Sequence, residues 1–450
     1  MPSVTVPGTG TSTVTVPQSN NVNFIVAQQI ANAIAAVTTS GGTLSVTTAG
    51  VGTTPPAAPT TPGTVGEIIV TGSTGGGITI PNGYAFIVDG ASAPVTITAS
   101  NASILTSTIS SSIFGSGNNT VAAGGGNNLV VLNGGSSFIV GTGAGNDTIY
   151  ATGSGTQGGG GGANLLWGAD TATGSKQFFI SDGTGDTVVA GAGSDTTASY
   201  GSNSLIFGGS GQLVVGGSIN NETVSAGSGS DTIFGANSGV YFLNNSKTVF
   251  VDEGGNNTIV GGTGSATIFG GAGKNLIFGD GGPMQFVGSA GTASIVGGSS
   301  IVSVFGASGS NVTFFGAASS GGASFAAYAG NETLNAGGSF SNNLFGAGSG
   351  NDTLIGGAGN DTMFASTGNA TMTGGAGNNF FTFINKAAGG NDAVTDFNGN
   401  DSVVLVGYNT ASVAASIVAA GSGNTLTLSD GTKITFNVSV SSITGNIHSF

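Results

Sequence analysis

AGSGNDTLI, GGAGNDTMF, ASTGNATMT, GGAGNNFFT: residues Ala347 to Thr382 are four nine-residue units laid end to end. The second unit is the fullest, with Gly356, Gly357 and Gly359, then Asp361, then an apolar Met363. Glycines followed by a short polar-apolar-polar triplet describe a tight turn leading into a short strand. Glycine reaches the φ > 0 conformations that such turns use. In the triplet one side chain points inward while its neighbours point out. Asp361 adds a carboxylate beside turn carbonyls, a hard-oxygen setting suited to Ca²⁺.

The unit recurs, with drift, from Ile113 to Thr382. One unbroken register runs from Gly261 to Phe314 as GGTGSATIF, GGAGKNLIF, GDGGPMQFV, GSAGTASIV, GGSSIVSVF and GASGSNVTF. Other copies are AGSGSDTIF at 226–234 and GTGAGNDTIY ending at Tyr150, with breaks at 157–162 and 315–345. The run resembles the RTX (repeats-in-toxin) calcium-binding proteins, whose repeats wind into a parallel β-roll. The closing stretch VTDFNGNDSVVLVGY places Asp396, Phe397, Asp401 and Leu405 on the I-x-D-F-x-x-x-D-x-U-x-L segment that ends rolls of this family. The resemblance covers residues 113–450, is strongest over 347–408, and is absent from the first hundred residues. It implies an all-β fold: a Gly-rich parallel β-roll or β-solenoid with a C-terminal β cap. It also implies Ca²⁺ as the bound ion and type I export, whose signal in that family lies in the uncleaved C-terminal region.

Candidate calcium ligands are the turn aspartates Asp147, Asp186, Asp195, Asp231, Asp352 and Asp361, with Asp396 and Asp401 of the closing segment. In the RTX roll an ion lies between turns eighteen residues apart, so a full site takes carboxylates at n and n+18. Here Asp186/Asp195 and Asp352/Asp361 are nine apart, and no aspartate pair is eighteen apart. At that spacing Asp352 faces Leu334 or Ala370, and Asp361 faces Asn343 or Asn379. One carboxylate per site predicts weak, millimolar binding. Paired asparagines (Asn118/Asn119, Asn127/Asn128, Asn256/Asn257, Asn342/Asn343, Asn378/Asn379) stand where further carboxylates would be. An amide can bond turn carbonyls and its stacked neighbours without a metal.

Composition narrows the function. Of 450 residues 88 are Gly, none is Cys, and five basic residues face nineteen acidic ones for a net charge of −14. A chain so poor in Lys and Arg has no footprint for nucleic acid. With no Cys there are no disulfides or thiolate metal sites. No stretch approaches the about 20 apolar residues of a membrane-spanning helix, so no transmembrane segment is expected. The N-terminus lacks the basic and apolar regions of a cleavable signal peptide; localisation outside the cell or on its surface would use another address. His448 is the only histidine, which removes Ser-His-Asp and His-zinc chemistry. The carboxylate pairs Asp252/Glu253 and Asp396/Asp401 sit in turn-like contexts. The chain is expected not to be an enzyme.

Four regions are expected. Residues 1–65 are Thr/Ser/Pro-rich, with a short helix at 21–37 and strands at 3–6 and 11–16 that have no evident pairing partner and could be donated to a neighbour's sheet edge. Residues 66–112 form a strand-rich N-cap region, 113–382 the roll, and 383–450 the C-terminal cap with the secretion signal. Within the roll, alternation turns Tyr150, Phe207, Phe234, Phe269, Phe278, Phe305 and Phe364 outward, on a surface almost without charge. Exposed apolar rows mark interaction surfaces. The expected function is an exported bacterial structural protein that self-assembles through its roll into an extracellular filament, biofilm-matrix fibre or surface layer, its partner being itself. The alternative is a calcium-rigidified adhesin that binds an extracellular polysaccharide or another surface.

Overall fold

A computed structural model describes residues 3–18, 21–217, 221–316 and 321–450. The chain divides into two compact units, Met1–Asp231 and Thr232–Phe450. Both are parallel β-solenoids. A repeat contributes one short strand and one turn, and a strand pairs with the strand after next. In the second unit Asn256–Val260, Lys274–Phe278 and Thr292–Val296 stack in one sheet. Ala266–Phe269, Met284–Val287 and Val302–Phe305 stack in the opposite one. Two repeats therefore close one coil.

The core is thin because each strand sends one or two side chains inward. Ile259, Ile268, Ile277, Phe286, Ile295 and Val304 are all buried, drawn alternately from the two sheets. Burying such a side chain contributes roughly 1.5–3 kcal/mol, so stability accumulates coil by coil, as in other solenoids. From Ser238 to Phe305 each coil holds eighteen residues, as in the pairing of Thr258 with Leu276. Insertions lengthen others: Thr333 pairs with Thr353, and Leu165 with Thr187.

The first unit carries the N-terminal elements. β1 (Ser3–Pro7) and β2 (Thr13–Pro17) pair with each other as an antiparallel hairpin. This corrects the expectation of unpaired, donatable strands: the turn at Gly8–Ser12 closes on itself, with Gly8 N–H donating to Ser12 O at 2.7 Å. α1 (Asn21–Thr39) matches the expected helix and extends two residues further. It packs on β1, on β3 (Thr43–Gly50) and on the strands Ser103–Leu105, Asn119–Ala122, Leu129–Gly141 and Thr148–Gly159. Nineteen residues at 1.5 Å span about 28 Å, which matches about six strands at 4.8 Å spacing. The helix thus lies along the stack and covers the outside of one sheet. Ile30, Ile34, Val4, Val6 and Val16 bury against Ile69, Phe86, Val88 and Leu105. Parallel stacking begins at β3, which pairs with β4 (Thr64–Thr71). The strands within 66–112 continue it, Val95–Ser100 pairing with Ser111–Ser116 and Ser103–Leu105 with Asn119–Ala122.

At the C-terminus Lys433–Phe436 stacks on Asn391–Val394, and Ile447–Ser449 on Ser402–Val406. A second helix that sequence reading did not anticipate, α2 (Thr410–Ala420), lies between them in sequence. Asn409 caps it by accepting from Ala411 N at 2.9 Å, and Gly421 ends it at φ 56°. None of the described helices is long and apolar enough to cross a membrane.

Candidate metal centre

The turns stack as closely as the strands. Gly375 and Gly377 have φ of 84° and 91°. A Cβ on either would meet the carbonyl oxygen of Gly357 or Gly359, one coil earlier, at 2.2 or 2.3 Å. Only glycine fits there, which explains the second and fourth positions of the unit.

The sixth position carries the site. Its side chain is buried and turns back along the stack, where an oxygen accepts the backbone N–H of the sixth-position residue one coil earlier. Asp361 accepts from Asn343 N at 2.7 Å, Asn379 from Asp361 N at 2.9 Å, and Asp401 from Asn379 N at 3.0 Å. The same bond links Asp147 to Asn128, Asp186 to Asn164, Asp195 to Gln177, Asp231 to Leu213 and Asp352 to Glu332. Where Asn precedes Asp its amide adds a second bond, as from Asn343 Nδ2 to Asp361 Oδ1 at 2.7 Å and from Asn379 Nδ2 to Asp401 Oδ1 at 3.0 Å. The other carboxylate oxygen accepts within its own turn, for Asp361 from Gly357 N at 2.8 Å and for Asp352 from Gly348 N at 2.6 Å. Asp396 departs from this pattern: its two oxygens accept from Gly374 N and Gly375 N of the preceding coil.

The fifth-position asparagines form a parallel ladder on the exposed side of the turns. Asn342 accepts from Asn360 N, and Asn360 from Asn378 N, both at 2.8 Å. Amide contacts therefore carry much of the turn stacking, as the recurring Asn pairs imply.

Glu332 and Asp392 are among the buried acidic residues that the eighteen-residue spacing does not predict. Thr333 pairs with Thr353, so the coil neighbour of Asp352 is Glu332 and not Leu334. A fixed spacing of eighteen misses it because this coil holds twenty residues; the signal was present in AGNETLN, a repeat with Glu in the sixth position. Likewise Asp392, in GGNDAVT, accepts from Ala370 N at 2.8 Å across a lengthened coil. Glu332 and Asp352 are thus a stacked carboxylate pair. Burial, then the neighbouring Asp352, push the Glu332 carboxyl well above the usual carboxylate range. Burial pushes Asp392 up to about 7 and Asp147 to about 6, and also raises Asp195, Asp361 and Asp401, against the lowering effect of their N–H donors.

These groups fit a divalent cation. Glu332 Oε2 and Asp392 Oδ2 are buried acceptor oxygens without a hydrogen-bond donor, and hard carboxylate oxygens beside turn carbonyls are the donors Ca²⁺ takes. Glu332 with Asp352 would supply two carboxylates, and the isolated aspartates one each. Among the described residues no three acidic or His side chains converge, so backbone oxygens would complete any shell.

The family profile of RTX calcium-binding nonapeptide repeats matches four copies, at residues 115–139, 216–238, 253–283 and 346–381. The chain carries RTX nonapeptide repeats on a β-roll. The RTX nonapeptide is a calcium-binding motif, and the last match contains Asp352 and Asp361 in the turns described above. Comparison with curated proteins and with solved structures returns no match.

Proposed function

We propose that this calcium-binding β-roll protein of an exported type is a structural protein that self-assembles outside the cell into a filament, matrix fibre or surface layer. The observation that carries the reading is the outer surface of the roll: Phe207, Phe242, Phe269, Phe305 and Phe315 are exposed on a chain with only five basic residues. Natural sheet surfaces and edges usually resist association with Lys and other charges, and this one does not. The reading includes no catalytic role. The Asp252 carboxylate, one of the acidic pairs a hydrolase could use, already accepts four N–H groups, from Gly254, Asn257, Gly271 and Asn275, at 2.7–3.0 Å. The type I export route, with its signal in the C-terminal region, belongs to the same proposal.

One observation favours an adhesin-like role as the second reading. An open groove of about 670 Å³ runs over Ser324, Asn342, Leu344, Asn360, Thr362 and Phe380. Amides beside an aromatic ring are suited to a glycan. Negative-stain microscopy of the purified protein in EGTA, then in millimolar Ca²⁺, separates the readings. Ordered filaments or sheets in either condition support assembly. Isolated particles in both, together with retention on a polysaccharide matrix, support the adhesin.

A further inference from the structure

The outward residues of the second unit are ordered on a longer period than the nonapeptide. On one sheet Phe242 pairs with Val260, Val260 with Phe278, Phe278 with Val296, and Val296 with Phe315. On the opposite sheet Val251 pairs with Phe269, Phe269 with Val287, and Val287 with Phe305. Coils carrying Phe on both faces therefore alternate with coils carrying Val on both faces. The true repeat here is two coils, or four nonapeptides. Inside one sheet Ile259, Ile277 and Ile295 do not follow it, whereas inside the other Phe250, Ile268, Phe286 and Val304 alternate in the opposite phase, a Phe inward where the outward residue is Val.

The physical consequence is a corrugated surface. With coils about 4.8 Å apart, Phe ridges recur about every 9.6 Å with Val furrows between them. The only charges at outward strand positions between 238 and 315 are Lys247 and Lys274, each at the first residue of its strand and so at the rim. A second corrugated face shifted by one coil sets its ridges in these furrows, and facing sheets pack about 10 Å apart.

Building on the self-assembly reading, we propose that both faces between Ser238 and Phe315 are docking surfaces for the same faces of a second copy of this chain, ridge into furrow. Area supports a stack over a dimer. Phe242, Phe278 and Phe315 are 39%, 36% and 45% exposed, and Leu276 39%. Taking about 200 Å² per aromatic side chain and adding the valines and threonines between them gives about 500 Å² per face. A stable interface takes about 800 Å² per partner. One face alone falls short, whereas a copy held on both faces contributes about 1,000 Å², above that threshold.

The test compares two kinds of variant in the full chain by sedimentation velocity and electron microscopy. Phe242→Ser/Phe278→Ser/Phe315→Ser removes the ridges of one face, and Val260→Phe/Val296→Phe fills its furrows while adding apolar area. All five side chains point outward, so circular dichroism and melting should match wild type in each. Ridge-into-furrow docking predicts that both variants associate at least tenfold more weakly than wild type. General apolar adhesion predicts that the Val→Phe variant associates as well or better, which would overturn the docking geometry and leave assembly standing. A wild type that stays monomeric overturns assembly and docking together. Monomers whose retention on a polysaccharide matrix is lost in the Phe→Ser variant would assign the faces to glycan instead.

Discussion

Asp361 shows what a single residue does in this fold. Its carboxylate receives N–H donors from its own turn and from the coil before, so it fastens two coils with one side chain. Asp361→Asn keeps the volume but turns an NH₂ toward one of these donors. Leaving one buried N–H unpaired costs about 1–3 kcal/mol. Thermal denaturation in EGTA should show a lower midpoint for this variant, and a smaller loss for Asn360→Ala, whose partner lies on the exposed side of the turn. Equal losses would mean that the buried ladder has no special weight. Glu332 makes a different prediction. Its carboxyl is held protonated by burial and by Asp352, so an ion binding there must displace the proton. Calcium affinity should rise from pH 6.5 to 8.5 with proton uptake by the buffer, measured by titration calorimetry in buffers of different ionisation enthalpy. Glu332→Gln should remove that part of the proton release, and an unchanged release would exclude Glu332 as a ligand.

At the scale of elements, the helix α1 and the β1–β2 hairpin form an uncharged cover: no charged residue precedes Glu67 in the sequence. Glu67 itself lies in β4, opposite Phe86 in the pairing, fully buried with no hydrogen-bond partner for either carboxylate oxygen. Burial pushes it up to about 7 from 4.5. The folded chain therefore keeps a proton that the unfolded chain releases. Its contribution to stability is complete below pH 4.5 and is lost as pH rises through 7, by about 3 kcal/mol in all. Glu67→Gln should melt higher than wild type at pH 8 and close to it at pH 5. A melting difference that is the same at both pH values would show that Glu67 does not ionise beneath the cover. Deleting residues 1–20 would remove Val4, Val6 and Val16 from this cluster and uncover the apolar outer surface at Ile69, Phe86 and Val88. The truncated protein should bind more of a hydrophobic dye than the intact protein does. An unchanged dye signal would mean that α1 alone covers the sheet.

For the whole molecule, the buried carboxylates raised by desolvation are a store of unfavourable charge at neutral pH, and a divalent cation offsets it. Binding to the folded state alone raises stability by RT ln(1 + [L]/Kd). Millimolar Ca²⁺ should therefore raise the melting midpoint at pH 8 more than at pH 6, where several of these groups are protonated. Magnesium, which demands tighter octahedral geometry, should do less. A calcium effect independent of pH would remove the buried carboxylates from the binding site.

The nonapeptide pattern by itself determined the coil: glycines where turns from successive coils touch, one apolar residue inward per strand, and a sixth-position acceptor facing the next turn. These are local rules, each satisfied within nine residues or between adjacent copies, so they are legible in the string. The α1 helix was legible too, from the spacing of Phe24, Ile25, Ile30 and Ile34. The register across lengthened coils was not. Whether Asp352 meets Leu334 or Glu332 depends on how many residues leave the stack as a loop, and loop residues carry no periodic signal. Nor could the sequence show that β1 and β2 close on each other, that α1 lies along the sheet over six strands, or that Glu67 ends beneath apolar neighbours without a partner. Those are long-range placements, decided by which apolar surfaces can cover one another once the coils have stacked. The alternation of Phe and Val coils lies between the two cases: every residue of it stands in the sequence, but only the stacking of coils turns a spacing of thirty-six into adjacent ridges and furrows.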